Sequence, residues 1–413
     1  MTPSRTIVAR PLLVVPIALL GLGVSFLWGY QAHRIEVFPY SVLSWFLVDT
    51  ESKPYSWVRP RGRPLSDLRA LAYVGSNFDP DSDRRGVQVH DAQRAWEGLN
   101  FYYSAFAAPF QLVDMEGREV RSWSDPGSVI AHAELLPGAD LIVVRFDKQV
   151  VRLDPESRPR WVADVRAHHD VAVRGDELWA LSRRERAIPG LHPSQHILED
   201  TLTLLSLETG EVRDVVSLLD VVRSSPYGFL LASVARRQFV AADGPLDTLH
   251  TNHISVFDGS LSAISPLFGA GNVLLSMRHL NAIMILDAET HDVLWIWGPS
   301  NLYGQHHPTL LPSGRILVFD NGVSRSRVLE VDPRTNEIGW SYASETFHTP
   351  LRGSAQRLPN GNTLITESDA GRVFEVTEGG DIVWEFVNPD VTEAGERSVI
   401  WRMTRVSSGD WVD

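Results

Sequence analysis

An all-β fold, a six-bladed β-propeller preceded by one N-terminal transmembrane helix, is what this 413-residue sequence predicts. Three observations point there. One phrase recurs along the chain: a short apolar run, an acidic residue, a turn, then a β-rich stretch holding an aromatic. Its spacing is roughly 40–50 residues, the length of a propeller blade. Near the start, twenty successive residues are uncharged and mostly apolar.

Those twenty, residues 11–30 (PLLVVPIALLGLGVSFLWGY), follow Arg5 and Arg10. They give about 30 Å of helix, enough to cross a bilayer. No clear small-residue cleavage site follows, so residues 1–34 read as a short cytoplasmic tail with an uncleaved anchor, a cleaved signal peptide being the alternative. Two arginines ahead of the span favour an outward-facing C-terminal portion. Residues 35–96 read as a juxtamembrane connector, with an interfacial apolar start and one short helix near 66–73.

The propeller is expected over 97–413. The blade phrase appears as LVDMEGREVRSW (112–123), VRLDPESRPRWV (151–162), LSLETGEVRDVV (205–216), ILDAETHDVLWIW (285–297), EVDPRTNEIGWSY (330–342) and EVTEGGDIVWEF (375–386). Turn residues between alternating apolar stretches mark hairpins. Five units read complete, at about 130–163, 168–217, 250–299, 304–345 and 350–387. Residues 400–408 supply an inner strand with nothing after it, and 100–123 supply outer strands with no inner one. Joined, they make a sixth blade and leave no open edge. The stretch 218–247 is an insertion, partly helical. Trp295, Trp297, Trp340 and Trp384 share one place in the repeat and read as packing residues.

Composition narrows the function. With 38 Lys plus Arg against 51 Asp plus Glu, the net charge is −13, which does not suit a polyanion binder. Lys53 and Lys148 are the only lysines and there is no G-x-x-x-x-G-K, so a P-loop is excluded. The absence of cysteine excludes thiol nucleophiles, disulfides and Fe–S clusters.

Of fourteen histidines, several recur where inner strands begin: His132, His168 and His169, His250 and His253, and His306 and His307. Inner strands of a propeller line its centre, so these residues would converge on one axis. Three phrases stand out: DTLHTNH (247–253), SMRHLN (276–281) and QHHPTLLPSGRILVFDNG (305–322). The Asp320–Asn321–Gly322 turn in the last reads as a hairpin signal.

These phrases, in this order and with the blade repeats, resemble the bacterial arylsulfate sulfotransferases that use no nucleotide donor. The likeness spans about 97–413. It implies ping-pong transfer of a sulfuryl group from a phenolic sulfate ester to a second phenol through a sulfohistidine. Matched by motif, His306 after Gln305 is the nucleophile, with His307 an alternative within the doublet. His250 and Asn252 match the family's H-x-N pair, and Arg278 its sulfate-binding arginine. The His168–His169 pair falls where another central histidine is expected, His169 being the preferred member. His306, His250, Arg278 and His169 are thus the catalytic candidates, and Asn252, His168 and His307 the substrate-binding ones. No cofactor and no metal are called for. With the span at 11–30 this gives a propeller expected on the periplasmic side of a bacterial inner membrane; the resemblance implies small phenolic partners, and the net charge speaks against nucleic acid.

The chemistry is reasonable on its own terms. Neutral imidazole is a nucleophile near pH 7, and an arginine fork suits two sulfuryl oxygens. A non-catalytic, membrane-anchored binding propeller is the competing reading. A quinone-dependent dehydrogenase would want more blades and an acidic metal site. A zinc hydrolase lacks a supporting motif such as H-E-x-x-H.

Overall fold

In a computed structural model of the chain, residues 76–410 are described, apart from 79–82, 105–109, 127–128, 192–195, 233–244 and 394. The expected span 11–30 and the helix near 66–73 lie outside the described residues. Among those described, no helix is long and apolar enough to cross a membrane.

Short alternating runs broken by Gly, Pro, Asn and Asp fold here as antiparallel strands. The strands β1 (Ser76–Phe78) and β2 (Gly86–His90) come first, followed by a meander of β3 (Leu99–Ser104), β4 (Phe110–Val113) and β5 (Glu119–Trp123). A long sheet then runs in chain order: β6 (Ile130–Leu135), β7 (Leu141–Arg145), β8 (Lys148–Leu153), β9 (Pro159–Arg174), β10 (Glu177–Ala187), β11 (His196–Ser206) and β12 (Val212–Ser217). Helix α1 (Leu218–Ser224) lies in the expected insertion, capped by the Ser217 hydroxyl on the Asp220 N–H. After it, β13 (Leu246–Asp247) pairs in parallel with β11.

Next come β14 (Thr251–Val256), β15 (Val273–Met277), β16 (Ala282–Leu286) and β17 (Val293–Trp297), then β18 (His306–Leu310), β19 (Ile316–Asp320), β20 (Arg327–Asp332) and β21 (Glu337–Tyr342). Another unit holds β22 (Ser354–Arg357), β23 (Thr363–Glu367), β24 (Arg372–Val376) and β25 (Ile382–Val387). Strand β26 (Glu396–Ser398) pairs with β1, and β27 (Ile400–Val406) pairs with β3.

The result is an all-β, propeller-like fold. Four blades are separate sheets: β14–β17, β18–β21, β22–β25, and β27 with β3–β5. The last joins strands from opposite ends of the described chain, as the sequence anticipates. Strand β2, from the stretch expected to be a connector, adds a fifth strand beside β25. Its five residues are too short to carry a readable alternation. In the long sheet, β9 serves two neighbours. Its first half pairs with β8 and its second with β10, and Ala167 faces Lys148 on one side and Ser182 on the other.

Apolar faces stack between neighbouring sheets. Leu274, Ile283 and Ile285 meet Ile316, Val318 and Val331, all fully buried. Tryptophans fasten neighbouring sheets to one another and, at Trp161, two parts of the long sheet. The indole N–H of Trp123 donates to the Ala139 carbonyl, Trp161 to Leu207, Trp340 to Glu378 and Trp384 to Met115, while Trp295 donates to the Asn336 side chain, all at 2.9–3.0 Å. First strands lie side by side: β6 with β9, β9 with β14, β14 with β18, β18 with β22, β22 with β27, and β27 with β6.

Candidate active site

Most first strands begin with a break in their pairing. Register slips between Ile130 and His132 in β6, Thr251 and His253 in β14, His306 and Thr309 in β18, and Ile400 and Arg402 in β27. In β9 the slip lies between Ala167 and Val171. An inserted residue bends a strand and re-aims side chains that strict alternation would send to opposite faces. His169, His250 and His307 hold φ of 58°, 49° and 50°, the left-handed region that residues with a Cβ rarely adopt. Each costs on the order of 1–3 kcal/mol, which the surrounding packing must offset. Strand β22 pairs without a slip and carries no histidine.

Two groups of polar side chains result. The first contains His306. Its Nδ1 is 2.7 Å from the Oδ1 of Asn321. The Asn321 amide nitrogen donates at 2.6 Å to both the Thr349 and Arg352 carbonyls, so only its oxygen faces the imidazole. His306 therefore carries its proton on Nδ1 and a lone pair on Nε2. Burial holds its pKa well below the usual imidazole value, and the Arg278 charge pushes it further down against the Asn321 bond. The result is a neutral imidazole with a fixed tautomer.

Arg278 and Gly304 bring the guanidinium close to this strand. A side chain on Gly304 would begin 3.6 Å from an Arg278 nitrogen. Around them stand more imidazoles. The ring centres of His169 and His250 are 4.8 Å apart, and those of His250 and His279 4.6 Å. Asp247 orders this group: its carboxylate accepts from His250 Nδ1 at 2.5 Å and from the His250 N–H at 3.0 Å, and its carbonyl accepts from His279 Nδ1 at 2.7 Å. Burial pushes the His279 pKa down to about 4, against the pull of Asp247. His169 is held well below the ordinary value by burial and by the neighbouring His250 charge.

The other expected residues take different places. His168 is turned into the sheet, buried, with Nε2 at 3.2 Å from the Ser182 carbonyl. Its Nδ1 then accepts from His169 Nδ1 at 2.7 Å, so it orients His169. Asn252 donates at 2.9 Å to the Gln305 carbonyl, and Ser276 Oγ meets that carbonyl at 3.2 Å. Both hold the strand on which His306 sits. His307 departs from His306 altogether: its Nδ1 donates to the Ala355 carbonyl at 3.1 Å and its ring lies 4.7 Å from that of His253.

His307 and His253 belong to the second group, centred on the fully buried Asp170. Its carboxylate meets His253 Nδ1, His132 Nε2 at 3.2 Å, and both terminal nitrogens of Arg402 at 3.2 and 3.3 Å. Burial opposes ionisation of Asp170, yet Arg402, His132 and His253 together hold its pKa well below the usual carboxylate range.

Sequence reasoning did not assign Asp247, His279, Asn321, Asp170 or Arg402. The D-x-x-H spacing of Asp247 and His250 was a legible signal. Asn321 was hidden because Asn-Gly also marks a hairpin. Asp247, His250 and His279 offer ligand atoms within 4.8 Å of one another, a geometry open to a metal ion. The positive charges of Arg278 on His279 and of Arg183 on Asp247 work against a cation there and suit an anion. A neutral nucleophile beside an arginine, with further imidazoles around it, can accept an electrophilic oxyanion group.

Known proteins bear on this arrangement. No curated protein sequence matches the chain. Among solved structures, a protein of unknown function from Bacteroides caccae is similar over 75% of this chain and 99% of its own, at 11% identity and a TM-score of 0.48. A streptogramin B lyase structure covers 80% of this chain and 96% of its own, at 11% identity and 0.44. The Dos1 propeller covers 75% and 77%, at 14% identity and 0.41. The family profile of the arylsulfotransferases (ASST) matches residues 132–389, more than half of the sequence, and the chain belongs to that family.

Proposed function

We propose that this protein moves a sulfuryl group from a phenolic sulfate ester to another phenol through a sulfohistidine at His306. The observation that carries the reading is the His306–Asn321 bond, which leaves the Nε2 lone pair available beside Arg278. In the donor step the His306 Nε2–S bond forms and the S–O bond to the phenol breaks, releasing phenolate. In the acceptor step the N–S bond breaks and a bond from sulfur to the second phenol's oxygen forms, while that phenol's proton leaves. Such transfers resemble phosphoryl transfer, whose loose transition state places charge on peripheral oxygens. Arg278 is suited to two of those oxygens. His250, held by Asp247, and His169, held by His168, would donate or accept the protons.

The reading extends to architecture and place. Counting the long sheet as two units that share β9 gives six blades, and the side-by-side order of the first strands closes on itself. An anchor at 11–30 would hold this propeller on the periplasmic side of an inner membrane, near small phenolic partners.

The test uses the full chain with a fluorogenic aryl sulfate, with and without added phenol. Phenol-stimulated release should fall by at least about 10³-fold in His306→Ala. In His307→Ala release should persist. Loss in His307→Ala with retention in His306→Ala would move the nucleophile by one residue, and no release from folded wild-type chain would sink the reading.

A further inference from the structure

Neighbouring sheets can be compared position by position, because His132, Asp170 and His253 meet in one cluster and so mark the same level of their first strands. The residue after each pairs regularly: Ala133 with Val143, Val171 with Ala180, and Ile254 with Leu275. Three residues beyond those partners stand Phe146, Arg183 and Arg278. Arg183 is thus the counterpart, one first strand away, of the arginine set beside His306. Phe146 holds the same place one strand further, and β6, β9 and β14 lie side by side in that order.

Contacts agree with this placement. The Arg183 guanidinium lies over the Phe146 ring, 5.0 Å from its centre, and its Nε donates to Asp147 at 2.9 Å. Asp147 also meets Arg166 at 3.2 Å, and Arg166 in turn meets Glu185 at 3.8 Å. One carboxylate therefore divides its charge between two guanidiniums. The Phe146 ring stands edge-on to His169, with centres 6.4 Å apart. The lowered His169 pKa comes first from burial and then from the charges of His250, His168 and Arg183, and Arg183 also helps keep Asp247 ionised against its burial. On His306, after burial, the main charge is that of Arg278. Two arginines in equivalent places thus attend different parts of the group: Arg278 the nucleophile, Arg183 the His169 flank.

We propose that Phe146 and Arg183 seat the phenol ring and that Arg183 selects phenols bearing a second, anionic substituent such as a carboxylate, an assignment that rests on the sulfuryl-transfer reading. Entering and leaving phenols bond to sulfur at one in-line position opposite His306 Nε2, so a single seat serves donor and acceptor alike. With His169 at the phenol oxygen, the ring lies against Phe146, and a carboxylate on its far side meets the Arg183 guanidinium. A guanidinium is weakly hydrated and matches a planar carboxylate, and its contact with an aromatic face keeps it in place for one. Asp147 fixes its orientation through Nε.

The test gives the full chain an aryl sulfate with either 4-hydroxyphenylacetate or its methyl ester as acceptor. The methylene group insulates the ring, so these phenols differ in charge and hardly in acidity. Wild type should favour the carboxylate in kcat/KM, chiefly through KM, and the preference should shrink as salt is raised. In Arg183→Gln the ratio of the two kcat/KM values should fall by about 30-fold, the loss expected for a hydrogen bond between charged groups. Arg183→Lys should restore part of it. The sulfate esters of the same two phenols, used as donors, should show the same change, because both substrates use one seat. A ratio left unchanged in Arg183→Gln, whether both rates fall together or neither does, would reduce Arg183 to a support for Asp147 and Phe146 and overturn the assignment. Should the variants not fold, a wild-type chain with no salt-sensitive preference for the carboxylate overturns it as well. Transfer to neither phenol by folded wild-type chain removes the sulfuryl-transfer reading itself, and this inference with it.

Discussion

The outer and inner edges of this fold use repetition in opposite ways. At the outer edge one residue type does one job: Trp123, Trp295, Trp340 and Trp384 each carry an indole N–H to an acceptor on the neighbouring sheet, and Trp161 carries one to Leu207 within the long sheet. Pairing there is irregular in the same way each time, with slips at 112/113, 152/153, 285/286, 330/331 and 375/376. At the inner edge the slip also recurs, yet each strand fills it differently, with His132, His169 and Asp170, Asn252 and His253, His306 and His307, or Arg402. A shared backbone device therefore presents unlike side chains to one region. Repeats hold the scaffold, and departures from them gather its polar side chains.

Acidification should separate the two edges most strongly. His169, His253, His279, His306 and His307 all have pKa values below the ordinary imidazole value. Unfolded, they bind protons near pH 6.5; folded, they resist. Falling pH thus favours the unfolded chain, by up to about 1.4 kcal/mol per pH unit for each such group below 6.5. The tryptophan acceptors do not titrate. Melting temperature should fall clearly between pH 7 and pH 5, and a flat profile over that interval would break the contrast.

A smaller effect is expected at Asn321. Its loss frees the His306 ring to turn and to change tautomer. Asn321→Ala should lower kcat by about 100-fold, as a misplaced reacting group does, with KM little altered. Steady-state kinetics with an aryl sulfate measure this, and an unchanged kcat would deny Asn321 its orienting role. The least effect is expected at the outer edge. Trp295→Phe removes one hydrogen bond to Asn336 and should cost about 1 kcal/mol of stability with no change in kcat. Denaturant unfolding alongside an activity assay checks both halves of that statement.

Which parts were legible follows from the same contrast. The blade phrases repeat because most sheets need the same turn and the same indole, so the three sheets from β14 to β25 and the joining of β27 to β3–β5 could be read directly, whereas the break expected between 163 and 168 falls inside the continuous strand β9. Inner positions gave only residue types. The sequence does not say which member of His168–His169 or His306–His307 points where, because a bulge suspends the two-residue alternation on which such reading depends. Asp170 and Arg402 are 232 positions apart, and nothing local to either announces the pair. Strand β2 escaped notice because GVQVH is brief and lies among Arg and Asp.

Strand β27 completes a sheet whose other members, β3 to β5, lie some 300 positions earlier, and it also brings Arg402 to Asp170. Until that strand docks, Asp170 lacks its one permanently charged partner. Closure of that sheet and the pairing of Asp170 with a guanidinium therefore depend on the same strand: without β27, Asp170 keeps only the imidazoles of His132 and His253 as side-chain partners among the described residues.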